Sequence, residues 1–445
     1  MTSGIMPARH SPLHEASLGL LEAARGKAFP DWVLELHGEA NRSFQARGLP
    51  TNRDEAWRFT PLRPLLKLPV EHSTTSRLSP ELDAEVNALP SEFGHPIVLL
   101  DGQPKAGLAD APAGIEVLSL RDALSREPAW VQEHLGKLCH TEEGFSALNT
   151  ALFEDGLVIR VPRSTTPEKP LHLVFASSSS ESPRVSLPRV LLVLEPNSSL
   201  DLIETRWTRG DGAQLTNSVI EAALADNARL RHLRTLHGVP RGFTVDHTSV
   251  RLGAAARYDS HALTLGGELS RLDLHVALEG PGAECSLDGL FLANSGESVD
   301  HHTRVEHLTA RGTSRQKYKG ILSGTGHAVF DGTVVVHRDA QQTVAHQENR
   351  NILLSDETTL HTKPHLEIDA DDVQCSHGAT VGALDPDELF YLQARGIDAE
   401  VARGILTFAF AHEMIDRISL PGVGGSVARR LLSRIPGGEL VGEMR

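Results

Sequence analysis

The stretch V-L-L-V-L-E-P-N-S-S-L-D-L-I, residues 190–203, contains the repeating unit that decides the fold of this chain. Two apolar runs are joined by a short polar turn, and the same layout returns further along. The turns are N-S-S-L at 197–200, N-A-R-L at 227–230, A-A-R-Y at 255–258 and G-A-E-C at 282–285. Their last residues are separated by 30, 28 and 27 positions. A near-constant period without helical sequence between the turns predicts stacked β-coils, each burying its face on its neighbours.

Short runs rich in leucine and β-branched residues continue in this way from Leu157 to about Val381. We therefore assign a β-solenoid core to residues 151–383. A two-sheet sandwich is the alternative, because evenly spaced strands also fit it. The solenoid is favoured because the dipeptides N-G and D-G, which mark tight hairpins, seldom join these runs. A solenoid has open strand edges at both ends, and we expect the flanking helical segments to cap them.

Sequence of helical character lies on both sides of this core. Residues 1–150 are predicted to form a mostly helical region with a short α/β segment. Residues 384–445 are predicted to form a C-terminal helical domain. Its first helix has Asp385 as N-cap and Pro386 at the first helical position, a common start signal. Further helices are expected at about Ala399–Ile418 and Val427–Ile435.

Composition excludes several classes of function. The net charge of −15 argues against binding a phosphate backbone, so no nucleic-acid partner is expected. No apolar run approaches the roughly 18 residues of a membrane span, and the first residues lack the apolar core of a signal peptide. The three cysteines, Cys139, Cys285 and Cys375, are far apart, which excludes a disulfide framework and a C-x-x-C metal knuckle. A reduced, cytoplasmic protein is the expectation.

The stretch D-D-V-Q-C-S-H-G-A-T-V-G, residues 371–382, is where we expect the chemistry. Residues two apart on a strand point the same way, so Cys375 and His377 would present a thiol and an imidazole side by side. Both groups are good ligands for soft to borderline metal ions. Two ligands do not complete a site, so a partner is needed. The alternative is that Cys375 is only a small buried apolar residue.

Motifs for other chemistry are missing from the sequence. The glycine tracts at 324–327 and 422–426 lack the Lys-Ser/Thr pair of a P-loop, so this chain is not expected to hydrolyse ATP. No G-x-S-x-G or H-E-x-x-H pattern is present, and no catalytic residue is assigned. Most of the 23 histidines are expected to lie at the surface or in ladders along the solenoid.

Several segments closely resemble the SufB/SufD family of iron–sulfur cluster assembly proteins. In the second half they are Q-x-N-R-N-I-L-L-S (347–355), T-K-P-H-L-E-I (362–368), the 371–382 stretch and D-E-L-F-Y-L-Q-A-R-G (387–396). In the first half, G-L-P-T-N-R-D-E-A-W-R-F-T (48–60) and L-N-T-A-L-F-E-D-G (148–156) are also similar to the family. The turn C-S-H-G-A-T-V-G resembles the SufD members more than the SufB members. The low cysteine content agrees, because SufB normally carries the thiol that receives sulfur.

The resemblance implies a right-handed parallel β-helix flanked by N-terminal and C-terminal helical regions. It also implies a non-catalytic scaffold subunit in a complex with a SufB-like sister subunit and the ABC ATPase SufC. The last β-coils would pair with SufB, and the C-terminal helices would hold SufC. Cys375 and His377 would then face SufB as ligands of a transient iron–sulfur cluster, with none permanently bound and ATP used by the partner ATPase.

Three other functions fit parts of the sequence. A SufB-like subunit of the same system is disfavoured by the missing thiols. A β-helix polysaccharide lyase or hydrolase would share the architecture but would call for clustered carboxylates in a groove and a secretory signal. A stand-alone metalloenzyme built on the histidines is the third alternative.

Overall fold

Two sheets of parallel strands face each other along the repeating part of the chain, as the computed structural model shows. The structure describes residues 10–24, 29–72, 80–89, 93–139, 142–178, 182–209 and 212–443. The helices are α1 Pro12–Ala23, α2 Asp31–Arg47, α3 Arg63–Leu66, α4 Pro80–Asn87, α5 Leu120–Arg126, α6 Pro128–His134, α7 Gly144–Leu152, α8 Pro386–Ala394, α9 Ala399–Asp416, α10 Gly424–Leu432 and α11 Gly438–Glu443. The strands are β1 Glu71–His72, β2 Pro96–Leu100, β3 Gln103–Ala106, β4 Glu116–Ser119, β5 Leu157–Val161, β6 Leu171–Ser178, β7 Arg184–Ser186, β8 Arg189–Leu194, β9 Ser199–Arg209, β10 Gln214–Leu224, β11 Arg229–His237, β12 Gly242–Leu252, β13 Arg257–Leu265, β14 Leu269–Leu278, β15 Glu284–Ala293, β16 Ser298–His307, β17 Thr313–Leu322, β18 His327–Val336, β19 Thr343–Leu353, β20 Thr359–Ile368 and β21 Val373–Gly382.

The strand order is that of a solenoid. Sheet A runs β20-β18-β16-β14-β12-β10-β8-β5-β4, and sheet B runs β21-β19-β17-β15-β13-β11-β9-β6-β2-β3. From β8 onward consecutive strands therefore enter opposite sheets, and each strand from β8 to β19 pairs in parallel with the strand one turn later. β10 and β12, for example, pair without a break from Gln214↔Gly242 to Leu224↔Leu252. The predicted parallel solenoid flanked by helical regions is confirmed, with about eight turns. The sandwich alternative fails because its consecutive strands would pair antiparallel.

The repeated turns of the sequence form a stacked column in the structure. Asn197, Asn227, Ala255 and Gly282, the first residues of the four quoted turns, all have φ between 53° and 71°. Each turn donates a backbone hydrogen bond to the next, as from Asn197 N to Asp226 O at 3.0 Å and from Asn227 N to Ala254 O at 2.8 Å. This stacking fixes the left-handed conformation, which explains why the spacing is kept while the residue type varies.

The interior of the solenoid is apolar in its first turns and partly polar further on. Leu192, Leu202 and Ile220 belong to the central core cluster. In the middle turns, buried charges face each other across the two sheets. Arg206 Nη2 lies 2.7 Å from Asp246 Oδ2, and the hydroxyl of Ser218 donates to the same carboxylate at 2.8 Å. Buried charges of this kind remain stable only when they are paired and hydrogen-bonded.

The helices cover the outer faces of the two sheets. α1, α2, α3 and α7 share a buried cluster with apolar residues on the outside of sheet A, including Leu215 and Phe243. α9 and α10 share another cluster with the outside of sheet B, including Leu233 and Leu292. Lys319 ties α9 to β17 through Glu413 at 2.5 Å. Hydrogen bonds from Lys317 and Lys319 lower the pKa of Glu413 to about 2.

The expectation that the helices cap both ends of the solenoid is wrong for the C-terminal end. The outer face of sheet B is rich in leucine and isoleucine, so α9 and α10 bury apolar area there instead. The last strands, β20 and β21, keep most of their residues exposed or half-buried. At the other end, the short strands β3 and β4 complete their sheets by antiparallel pairing with β2 and β5. Among the described residues, the solenoid therefore has one open end, formed by two ten-residue strands.

Candidate functional site

The open end of the solenoid carries both site residues that the sequence predicts. β20 ends sheet A and β21 ends sheet B, and each pairs on one side only in the part of the chain that the structure describes. An unpaired edge presents a row of backbone donors and acceptors that can accept another strand. Two apolar side chains at this end are unusually exposed, Ile368 at 40% and Val381 at 50%. The open end therefore combines unpaired backbone with apolar surface.

Cys375 and His377 lie on the same, inward face of β21. They are in register with Ala345 and Gln347 of β19, whose side chains are buried inside the solenoid. Cys375 is half-buried and packs against the central core, and burial raises the pKa of its thiol. His377 is exposed. The thiol is thus anchored in the fold, whereas the imidazole faces the open end.

The described residues bring no complete ligand set to Cys375 and His377. Within the described residues, three histidine, cysteine or carboxylate ligand atoms lie within 4.8 Å of one another at a single place, which is far from β21 in the sequence. An iron–sulfur cluster usually needs four protein ligands. Cys375 and His377 could therefore supply at most part of such a set.

A column of amide side chains lies directly beneath the open turn and was missed by reasoning from the sequence. Asn351 donates from Nδ2 to Asn349 Oδ1 at 2.6 Å, and the Thr362 hydroxyl donates to the same oxygen at 2.8 Å, which links sheets B and A. Gln347 reaches Gln316 of the preceding turn, with Nε2 3.4 Å from Oε1. The signal was the alternation Q-E-N-R-N at 347–351, in which every second residue is an amide and all three amides point into the solenoid.

The N-terminal segment 48–60 packs against the outer face of the last turn of the solenoid. The ring of Phe59 stacks on His361 of β20, with centroids 4.1 Å apart and planes 15° apart. Glu55 binds Lys363 of the same strand at 2.6 Å. Trp57 is buried, with the guanidinium of Arg271 3.7 Å from its ring centroid. This segment therefore holds the last strand of sheet A in place while leaving its edge open.

A second exposed feature follows the open end immediately. α8 buries none of its residues, and its Phe390 and Tyr391 are 71% and 57% exposed. Its start agrees with the sequence prediction, since the Asp385 side chain accepts a hydrogen bond from the Asp387 N–H at 2.8 Å. Adjacent exposed aromatic residues are typical of protein interaction sites.

Comparison with known proteins points to a single family. Residues 175–410 match the family described as "SUF system FeS cluster assembly, SufBD core domain", and residues 13–173 match "SufBD protein N-terminal region". The chain is 32% identical to the iron–sulfur cluster assembly SufBD family protein slr0076 of Synechocystis over 85% of each protein. It is 32% identical to the iron–sulfur cluster assembly protein SufD of Escherichia coli, over 88% of this chain and 90% of the relative. The chloroplastic protein ABCI7 of Arabidopsis thaliana is 34% identical over 83% of this chain and 79% of its own length.

The fold and the open last turn define a parallel β-solenoid protein with helices on its outer faces. The chain belongs to the SufB/SufD family of iron–sulfur cluster assembly proteins, with SufD among its relatives. The resemblance stated from the sequence is thereby confirmed. None of the described helices has both the length and the hydropathy that crossing a lipid bilayer requires.

Proposed function

We propose that this chain is a SufD-like, non-catalytic subunit of an iron–sulfur cluster assembly complex. The observation that carries the proposal is the open last turn, which presents Cys375 and His377 with no further ligand from the residues that the structure describes. The division into an N-terminal region (1–150), a β-helix core (151–383) and an ATPase-docking C-terminal domain (384–445) is part of the proposal.

The partner at the open end is a SufB-like sister subunit. Two unpaired strand edges, one in each sheet, fit a partner that also ends in two strands, because backbone hydrogen bonds then continue both sheets. The apolar side chains of Ile368 and Val381 would be buried by the same contact. Burial of such groups is worth roughly 25 cal/mol per Å² of apolar area, which favours association.

A nascent cluster forms between the two subunits. Cys375 supplies a thiolate and His377 an imidazole, and the partner supplies the remaining ligands. Imidazole replaces thiolate at iron in some natural clusters, so mixed ligation is chemically sound. The cluster is transient and shared, and the chain alone holds none. A cytoplasmic location belongs to the proposal, because the chemistry needs a reduced thiol.

ATP is bound and hydrolysed by a second partner. The sequence carries no P-loop, so ATP is used by a SufC-like ATPase. The exposed aromatic pair on α8, Phe390 and Tyr391, is the proposed contact. α8 directly follows β21, so movement of the ATPase can be transmitted to the turn that carries Cys375 and His377.

The test compares cluster yield in co-purified complexes. The chain is expressed with its sister subunit and ATPase, as wild type and as His377→Ala, Cys375→Ser and His365→Ala. His365 is half-exposed on the outer face of β20, so His365→Ala is the matched control. We expect complexes of normal composition in all four cases. Cluster yield should fall strongly with His377→Ala, fall less with Cys375→Ser and stay normal in the control.

Two results would contradict the proposal. Normal cluster yield from an intact complex carrying His377→Ala would show that His377 is not a cluster ligand. If the wild-type chain, co-expressed with a sister subunit and an ATPase, purified without either of them, the proposed scaffold role would be contradicted.

A further inference from the structure

A groove separates the N-terminal region from the outer face of sheet A. The cavity has a volume of about 690 Å³. Seven carboxylates and four guanidinium or ammonium groups line it, which gives a net charge of about −3 when the histidines are neutral. A cleft with this balance of charge attracts cations.

The floor of the groove is a ladder of alternating imidazoles and carboxylates. His247 of β12 is in register with Asp273 of β14, which is in register with His302 of β16 and then Asp331 of β18. All four lie on the outer face, and neighbouring strands are about 4.8 Å apart. Side chains that can bind metal are therefore held at close and regular spacing.

One point of this ladder is completed by a residue from the N-terminal region. Glu143, which directly precedes α7, brings Oε2 to 3.4 Å from His247 Nδ1. Oδ2 of Asp273 lies 3.7 Å from the same nitrogen. The ligand atoms of the three residues all lie within 4.8 Å of one another. The site therefore joins two strands of the solenoid to the N-terminal region.

The imidazole of His247 is buried, and its Nδ1 faces the two carboxylates. Its side chain is 8% exposed, and its Nε2 is enclosed with no partner among the described residues. The separations at Nδ1 are long for hydrogen bonds, which are normally 2.7–3.2 Å for a nitrogen donor. The 3.4 Å separation fits two ligands of one ion, because ligand atoms about 2.0–2.2 Å from a metal lie roughly 3–3.6 Å apart, and the 3.7 Å separation is slightly longer than that range.

The carboxylate of Asp273 is held in place by its neighbour on the same strand. Arg271 donates from Nε to Oδ2 at 2.9 Å and from Nη2 to Oδ1 at 2.7 Å. Each carboxylate oxygen has a further lone pair, so these bonds orient the group and leave room for an ion. Glu143 is 46% exposed and gives access from solvent.

We propose that Glu143, His247 and Asp273 form a binding site for a divalent first-row transition metal ion. One imidazole and two carboxylates suit Fe²⁺, Mn²⁺ or Zn²⁺, and three protein ligands leave positions for water. The inference rests on the groove alone and does not depend on the proposed role of the open end.

The test is anaerobic calorimetric titration of the full-length chain with Fe²⁺, followed by Zn²⁺ and Mn²⁺. We expect one tight equivalent of metal in the wild type. His247→Gln and Glu143→Gln should each weaken that binding by at least about tenfold, since even second-sphere changes cost 10–100-fold. The matched control is His95→Gln at an exposed histidine, because the chain has 23 histidines and surface binding must be excluded. Circular dichroism without metal checks that each variant is folded.

The results that overturn this site are distinct from those that concern the cluster. Absence of a stoichiometric ion in the wild type overturns it, and so does wild-type affinity in either Glu143→Gln or His247→Gln. His377→Ala should bind metal in the groove with unchanged affinity. Loss of the groove ion in that variant would show that the metal lies at the open end instead.

Discussion

The buried ion pair between Arg189 and Glu221 shows how single residues join the N-terminal region to the solenoid. Both side chains are fully buried, and Arg189 donates to the Glu221 carboxylate. That carboxylate also accepts backbone N–H groups from Gly136 at 3.0 Å, Leu138 at 2.9 Å and Cys139 at 3.2 Å. One side chain on the outer face of β10 therefore fixes the loop that follows α6.

We predict that Glu221→Ala lowers the free energy of unfolding by about 3–5 kcal/mol, because it leaves a buried guanidinium unpaired. The matched control is Glu284→Ala, since Glu284 binds Arg257 at 3.0 Å with both side chains well exposed. An exposed pair of that kind is worth less than about 1 kcal/mol. Urea denaturation of both variants measures the difference, and equal losses would contradict the prediction.

The sequence predicts the placement of some candidate site residues and not of others. Alternation along a strand was enough to place Cys375 and His377 on one face. His247, Asp273 and His302 recur at steps of 26 and 29, close to the solenoid period, so their alignment was also present in the sequence. Glu143 lies outside the repeat, and its approach to His247 depends on how α7 packs. No periodicity predicts that contact.

The C-terminal helices show that sequence pattern can predict where a helix begins and ends without predicting where it packs. The start of α8 at Asp385 and the approximate extents of α9 and α10 followed from capping and apolar spacing. Their position on the outer face of sheet B did not, because it depends on apolar residues such as Leu233 and Leu263 that face outward. Runs of apolar residues in a parallel sheet do not distinguish the two faces, since both are buried.

The exposed aromatic pair of α8 leads to the prediction for this element. We expect the double variant Phe390→Ser, Tyr391→Ser to keep the wild-type melting temperature, because α8 buries no residue, and to lose most of its affinity for the ATPase. Leu440→Ser is the control, since Leu440 of α11 is another exposed apolar residue of the C-terminal region at 40%. Binding of the purified ATPase, measured by calorimetry, separates the two. Unchanged affinity in the double variant would show that the ATPase binds elsewhere on the chain.

A point substitution is preferable to deletion of the whole C-terminal region. α9 and α10 cover apolar residues of sheet B, including Ile321 and Ile352. Removing them would expose that surface and weaken the solenoid itself. Loss of ATPase binding in such a truncated chain would then have two explanations, whereas α8 can be altered alone.

At the scale of the whole molecule, the solenoid is a one-dimensional stack in which each turn contacts mainly its neighbours. Stability in such a stack is approximately a sum of terms for each turn and each interface. The last turn has one neighbouring turn instead of two, so it is the part whose local opening costs least. Because that turn carries Cys375 and His377, the least stable end of the molecule is also the proposed site of cluster formation.

This arrangement predicts a gradient of amide hydrogen exchange along the solenoid. In the isolated chain, we expect the amides of β20 and β21 to exchange faster than those of the inner strands β12 to β17, because the last turn opens at lower cost. When the sister subunit binds, the open edges become paired, so exchange in β20 and β21 should slow by at least about tenfold while the inner strands stay unchanged.

The ATPase alone serves as the control and should slow exchange in α8 without protecting β21. Hydrogen–deuterium exchange with mass spectrometry resolves these segments. Protection that appears on the outer face of sheet A, with β20 and β21 unaffected, would show that the sister subunit binds a face of the solenoid and not its end.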